Sequence, residues 1–287
     1  MSEATRQRLL QRLAHLPDAA RRVEGYYEPV CAWIAGLARA PAPRPRTVFV
    51  SGPQGCGKST LCALAVEALA ADGLRAVAVS IDDFYLTHEA QRALAAAHRG
   101  NPFLEFRGYP GTHDVGLGER VIASLANDRG AGVRVPAYDK SAHDGRGDRA
   151  PAPRWRVERG PFDVVLVEGW MLGFAPVAER ALPDARMAPA NAALADYARW
   201  HALADALVHL AMGEPAYVVR WRVDAERARR EAGAPGLSDE AARDYVTRFV
   251  PAYAAWVPGL RAAPPVRGPR LAVTLGEDRH PTAIAAR

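Results

Sequence analysis

The stretch "GPQGCGKS", Gly52 to Ser59, stands between the apolar run "TVFVSG" (47–52) and the run "STLCALAVEALAADG" (59–73). It matches G-x-x-x-x-G-K-S, and each position has a physical reason. Glycines let backbone N–H groups curl round a phosphate, and a helix N-terminus adds partial positive charge. The lysine ammonium reaches the outer phosphates and the serine hydroxyl can bind Mg²⁺. Gly52, Gly55, Gly57, Lys58, Ser59 and Thr60 are therefore the candidate nucleotide-binding residues, and Lys58 is also a catalytic candidate. A glycine-rich turn with an incidental lysine is the bland alternative, but the motif requires a strand before it and a helix after it, and both are present in the pattern. Cys56 reads as a small filler, because the loop binds rather than attacks.

Outward from the loop, the helix closes at Gly73 and "LRAVAVSI" follows as a second apolar strand, so strand, helix and strand form a parallel βαβ unit. "FDVVLVEG" is a further buried strand, "DALVHLAM" and "RLAVTL" later ones, and the strands expected at 47–51, 77–81 and 163–168 end on one edge. Helical patterns cover "HEAQRALAAAHRG", "DVGLGERVIASLAND", "NAALADYARWHALA", 217–232 and 238–256, and "GVRVPAYDKSAHDGRGDRAPAPRW" reads as a polar loop after a short strand. Apolar residues at helical spacing over 3–39 precede the breaker "PAPRPR" at 41–46. The expected organisation is a helical N-terminal extension and linker at 1–45, then one α/β P-loop domain at 46–287, its mainly parallel sheet flanked by helices.

With 287 residues and 49% hydrophobic content the chain can bury a large core. No leader-like apolar segment opens it and no run reaches the roughly 18 apolar residues of a membrane span. Three cysteines without ligand spacing fit a reducing compartment, so a cytoplasmic protein with no membrane partner is expected. The net charge of +5 admits an anionic partner, yet the arginines are interleaved with acids, so nucleic acid is not expected as a partner. Of 37 basic residues only Lys58 and Lys140 are lysine, which leaves 35 arginines. A compact ammonium does what a planar fork cannot, and this marks both lysines, with codon bias and chance as the alternative.

The strand "VAVSI" runs into two carboxylates, Asp82 and Asp83. Strand punctuation or a helix cap is one explanation. Beside a phosphate loop, the other is phosphoryl transfer to an alcohol, which needs one carboxylate near the acceptor hydroxyl and another at the metal. Asp82 is placed for the first role and for metal contact, and Asp83 for orienting it or capping the turn. Glu168, at the end of "DVVLVEG", is either a turn residue or a Mg²⁺ ligand with Ser59. No N-K-x-D guanine signature occurs, which makes ATP the default donor.

In order, "GPQGCGKST", "SIDDFYLT", "FRGYPGTHDVGLG", "VPAYDKSAHDGRGDR" and "FDVVLVEGWMLGF" resemble the D-glycerate 3-kinase family, within the uridine kinase and phosphoribulokinase group of P-loop enzymes. The likeness spans about residues 47 to 281, including "GLSDEAARDYVTRFVPAYAAW" and "LGEDRHP", and residues 1–40 carry little of it. It implies Mg·ATP-dependent phosphorylation of D-glycerate to 3-phosphoglycerate, with Asp82 as base and Glu168 on Mg²⁺. An acceptor carboxylate and four ATP charges call for cations, so Arg107, His113, Asp114, Tyr138, Lys140, Arg146 and Arg149 are the substrate-side candidates. Exposed loop charge remains the alternative for each. His113 could instead cap the next helix, and Asp139 could merely hold Lys140. Arg227 and Arg230 share a helix face and are similar to lid arginines that close over phosphates; a solvated face accounts for them equally well. Rival readings are a kinase of another small alcohol (a nucleoside, pantothenate or a sugar phosphate), a silent nucleotide-binding regulator, or a nucleic-acid-dependent ATPase. Oligomeric state is not readable.

Overall fold

The computed structural model describes residues 2–41, 45–234 and 236–287. Part of the expected linker, 42–44, lies outside the described residues. The N-terminal segment holds helices α1 (Glu3–Arg12), α2 (Ala19–Arg22) and α3 (Glu28–Arg39), with a π turn over Val23–Tyr27 between the last two. From strand β1 (Arg46–Ser51) the chain passes through the phosphate loop into α4 (Lys58–Ala71), β2 (Ala76–Ser80), a 3₁₀ turn at Ile81–Phe84, α5 (His88–Ala97) and α6 (Val115–Asn127). Four short strands follow: β3 (Val133–Val135), β4 (Tyr138–Asp139), β5 (Asp148–Arg149) and β6 (Arg156–Glu158). Then come β7 (Val164–Gly169), α7 (Ala188–Ala193), α8 (Ala198–His201), β8 (Ala206–Met212), α9 (Tyr217–Glu231), α10 (Asp239–Thr247), α11 (Val250–Ala262), β9 (Arg270–Leu275) and β10 (Pro281–Ala286).

The main sheet has the order β10-β9-β8-β1-β7-β2. Every pairing in it is parallel except that of the edge strand β10 with β9. β1, β7 and β8 are almost wholly buried, as strands covered on both faces must be, and this is why they read as continuous apolar runs. Register places Val50 opposite Glu168 and Ser80 opposite the same Glu168. Three strands thus end level, and the phosphate loop, Glu168 and the Asp pair emerge on one edge, where ligands bind in open α/β sheets.

Four segments differ from the periodicity reading. The helix expected at 191–204 is α7, a 3₁₀ turn and α8 in succession. The helix expected across 238–256 is broken between Thr247 and Val250, because Pro251 in the first turn of α11 lacks an N–H and crowds the carbonyl four residues back. The polar loop after 133 carries two short pairings, β3 with β6 and β4 with β5. β10, unforeseen, begins at Pro281 on the sheet edge, where a missing donor is tolerated.

The segment before β1 does not stand apart. Leu9, Val23, Tyr26, Val30 and Ile34 belong to the same buried cluster as Val48, Leu166 and Val208. Ser2 and Thr5 hydroxyls donate to Asp72 at the end of α4, and Arg8 and Arg12 pair with Glu67. Among the described residues no helix is long and apolar enough to cross a membrane.

Candidate active site

The phosphate loop is held from three sides. Gly55 has φ +77°, and a Cβ there would stand 2.7 Å from the Trp221 carbonyl carbon of α9, so a side chain is excluded both by conformation and by space. The Gln54 N–H donates to the Tyr253 hydroxyl of α11 (3.3 Å). Arg279, before β10, donates to the Gly55 and Trp221 carbonyls (2.9 and 3.0 Å). Gly57 caps α4 at φ +96°. Lys58 folds back to donate from Nζ to the Pro53 carbonyl (2.9 Å). The Ser59 hydroxyl donates to Glu168 Oε1 (2.9 Å), which sets a hydroxyl and a buried carboxylate side by side as hard oxygen donors. Cys56 is buried, and burial pushes its thiol up, which leaves it a neutral filler.

The Asp pair lies in the 3₁₀ turn, where the Asp82 N–H donates to Ser80 Oγ (3.3 Å). The two carboxylates face different partners. Asp82 Oδ2 accepts from Lys140 Nζ at 2.5 Å, whereas Asp83 Oδ2 accepts from Arg156 at 3.2 Å. Burial alone would raise the Asp82 carboxyl, but the Lys140 charge and hydrogen bond, with Lys58 adding, hold it down to about 2. For Asp83 burial wins over Arg156 and the carboxyl is raised. The Asp82 charge in turn raises the Lys140 ammonium against its own burial. Asp139, considered as the holder of Lys140, bonds Ser141 instead, at 2.9 Å to N and 2.6 Å to Oγ.

Lys140 reaches Asp82 because the β4–β5 hairpin is tied down. Arg107 donates to the carbonyls of Gly145 (2.8 Å), Arg146 (2.5 Å) and Lys140 (3.3 Å), and lies over the Tyr138 ring. Its guanidinium is thus mostly committed to the hairpin backbone. Arg149 donates to the Tyr85 carbonyl (2.8 Å) and to Asp114 (3.4 Å). Asp114, not His113, caps α6, accepting from the Leu117 N–H (2.9 Å). Arg146 is exposed above the Phe106 ring.

His113 is buried, stacked on Tyr85 at 4.3 Å. Burial pushes its imidazolium down to about 3, so the ring is neutral near pH 7. The Gly111 N–H donates to Tyr197 Oη (3.1 Å), and Tyr197 Oη contacts His113 Nδ1 (2.9 Å). The other ring nitrogen of His113, Nε2, is buried and has no partner among the described residues. Behind this loop, Tyr109, Trp170, Phe249 and Trp256 pack as an aromatic cluster, Trp170 Nε1 donates to the Gly108 carbonyl (2.9 Å) and the Tyr109 hydroxyl to the Arg248 carbonyl (2.5 Å).

Arg227 and Arg230 are not brought to the site centre. Both pair with Asp239, and Arg230 also donates to the Leu237 carbonyl, so the two fasten α9 to α10. At about 1.5 Å rise per residue they lie about 8 and 12 Å along α9 from Arg222. Arg222, absent from the candidates expected above, brings the α9 backbone against the phosphate loop. Its backbone N is 3.0 Å from the position of a Cβ on Gly55. Its guanidinium sits 4.8 Å over the Tyr245 ring and pairs with Glu226, and its Nε is buried without a partner.

A phosphate loop on a mainly parallel sheet, with a strand-end glutamate on its serine and an ion-paired aspartate in the turn after β2, defines a P-loop kinase. The curated relatives agree. The chain is 37% identical over 282 residues to the chloroplastic D-glycerate 3-kinase of Arabidopsis thaliana, covering 93% of this chain and 62% of that one, so it spans less than two thirds of the plant protein. A kinase of Schizosaccharomyces pombe is 34% identical over 86% of this chain and 95% of its own length. The solved D-glycerate 3-kinase of Cryptococcus neoformans superposes with a TM-score of 0.80 at 29% identity, covering 91% of this chain and 99% of that one. No family model matches. The chain belongs to the D-glycerate 3-kinase family of ATP-dependent P-loop kinases.

Proposed function

We propose that the protein transfers the terminal phosphoryl group of ATP to the 3-hydroxyl of D-glycerate, giving 3-phosphoglycerate and ADP. The observation that carries this reading is the Asp82–Lys140 pair, 2.5 Å apart, on the same sheet edge as Ser59 and Glu168. The acceptor O–H bond breaks, an O–P bond forms, the bond from phosphorus to the ADP oxygen breaks, and the proton passes to the Asp82 carboxylate. A carboxyl held at about 2 is a weak base. This suits a loose transition state, in which the acceptor oxygen sheds its proton late and the carboxylate mainly orients it. Incoming phosphate also competes for Lys140, which loosens its hold on Asp82 as the substrates assemble.

Lys58 and Lys140 neutralise charge on the phosphates, and Arg222 covers them from α9 in the role first considered for Arg227 and Arg230. Mg²⁺ fits the hydroxyl and carboxylate oxygens of Ser59 and Glu168. Among the described residues no cluster of three or more His, Cys, Asp or Glu could hold a metal, so the ion would be shared with phosphate oxygens. When bound it would draw charge from the transferring group. The acceptor carboxylate is met by Lys140 and Arg149, with Arg107 holding the hairpin that carries Lys140, while Tyr138, Asp114 and His113 line its hydroxyl side.

The test is an acceptor panel of D-glycerate, L-glycerate, glycerol and uridine with ATP, read by mass spectrometry. D-glycerate is used readily, and glycerol and uridine poorly, because cations left without their anion are strongly penalised. Preferential phosphorylation of an uncharged alcohol or a nucleoside overturns the substrate assignment.

A further inference from the structure

A cleft of about 410 Å³ opens between α5 and the 98–107 loop, with Arg146 of the β4–β5 hairpin in its lining. Its lining includes Arg92, Arg99, Arg107 and Arg146 against the carboxylate of Glu105, and it includes none of Lys58, Ser59, Asp82, Lys140 or Glu168. Gln91, on the inner face of α5, is 7% exposed and belongs to the same wall. Its Nε2 donates to the Leu104 carbonyl (2.9 Å), which fixes the amide orientation, and its Oε1 has no partner. Buried acceptors are normally satisfied. Strong positive charge beside an unmet acceptor describes a ligand with anionic groups and a hydroxyl donor.

We propose that this cleft is a second site, regulatory rather than catalytic, for a small hydroxylated polyanion. Resting on the function proposed above, its occupant is the product, 3-phosphoglycerate, which carries a phosphate, a carboxylate and a free hydroxyl. Coupling to the active site runs through Arg107. The same guanidinium that lines the cleft ties down the carbonyls of Lys140, Gly145 and Arg146. An anion in the cleft competes with those carbonyls, loosens the hairpin and withdraws Lys140 from Asp82. Occupancy therefore lowers kcat, and saturation with acceptor does not relieve it.

The experiment is calorimetric titration of 3-phosphoglycerate into the protein already saturated with a non-hydrolysable ATP analogue and D-glycerate, beside steady-state inhibition. The expected result is one further site per chain, weakened about tenfold or more by Arg92→Ala/Arg99→Ala, the scale expected when two charge-assisted hydrogen bonds are removed at an exposed position. That variant keeps kcat and both KM values within about twofold and loses the inhibition that persists at saturating D-glycerate. The analogue lacking the hydroxyl, 3-phosphonooxypropionate, binds about tenfold or more weakly, because it leaves Gln91 Oε1 unmet. No heat under these conditions, equal affinity in the double variant, or inhibition that saturating D-glycerate abolishes overturns the second site. Should the double variant lose basal activity, Arg99→Ala alone carries the same comparison. Failure of the glycerate reading shows separately, in the acceptor panel, while direct titration of the cleft with and without the arginines is read independently of turnover.

Discussion

Replacing Lys140 by alanine isolates the contact on which the proposed chemistry turns. The Nζ–Oδ2 distance is 2.5 Å, with the lysine side chain 50% exposed and the aspartate 30% exposed. A charge-assisted hydrogen bond contributes about 1.5–3 kcal/mol, and solvent screening at this exposure reduces it to about 1–2 kcal/mol. Asp82 loses its main counter-charge and keeps its burial, the largest influence on it, so its carboxyl climbs from about 2 to at least the ordinary carboxylate range. The sign follows from the depressed value. Stabilisation by the pair is fully present above the unfolded carboxyl value, near 3.8, and is lost as pH falls through about 2. In the wild type Asp82 stays ionised throughout pH 4.5–8, and its titration adds no acid limb there. In Lys140→Ala an acid limb enters that window from below, on top of a roughly 5- to 30-fold loss at neutral pH, the rate equivalent of that screened interaction. Lys140→Arg, which keeps the charge, restores the flat profile and part of the rate. The measurement is ADP release at saturating ATP and glycerate across pH 4.5–8. An Ala variant with the flat profile of the wild type, or an Arg variant indistinguishable from Ala, refutes this role for Lys140.

Lys58→Arg, like Lys58→Ala, removes most activity, since the loop seats a slim ammonium folded to the Pro53 carbonyl and not a planar fork; near wild-type turnover by the Arg variant counts against this. Asp82→Asn keeps ATP affinity within a few-fold and lowers kcat by at least about 100-fold, whereas Asp83→Asn, whose partner is Arg156, costs far less. A reversal of the two in steady-state kinetics means the wrong carboxylate was assigned. Arg222→Ala lowers kcat/KM for ATP by at least about tenfold, while Arg227→Ala lowers the unfolding midpoint slightly and leaves kinetics unchanged; equal kinetic losses would return the lid role to Arg227.

Much of this protein was legible without coordinates because its chemistry is local in sequence. The run from Gly52 to Ser59 specifies strand, turn and helix together, since the glycines, the lysine and the helix start act within one turn of each other. The apolar runs of β1, β7 and β8 announced a sheet buried on both faces, and parallel strands fixed the edge on which Glu168 and Asp82 appear. What remained undecided was what each charged side chain faces once the loops fold. Asp82 and Asp83 are neighbours with opposite partners, Lys140 and Arg156, that arrive from 58 and 73 residues away. Arg107 spends its donors on a hairpin 33 to 39 residues downstream. Arg222 and Arg227 differ only in distance along one helix, yet one meets the phosphate loop and the other Asp239. Side-chain period and backbone preference act over a few residues and are written in the local sequence. The partner of an arginine is chosen by which loops the core brings within about 3 Å, and that is decided only by the packed tertiary structure.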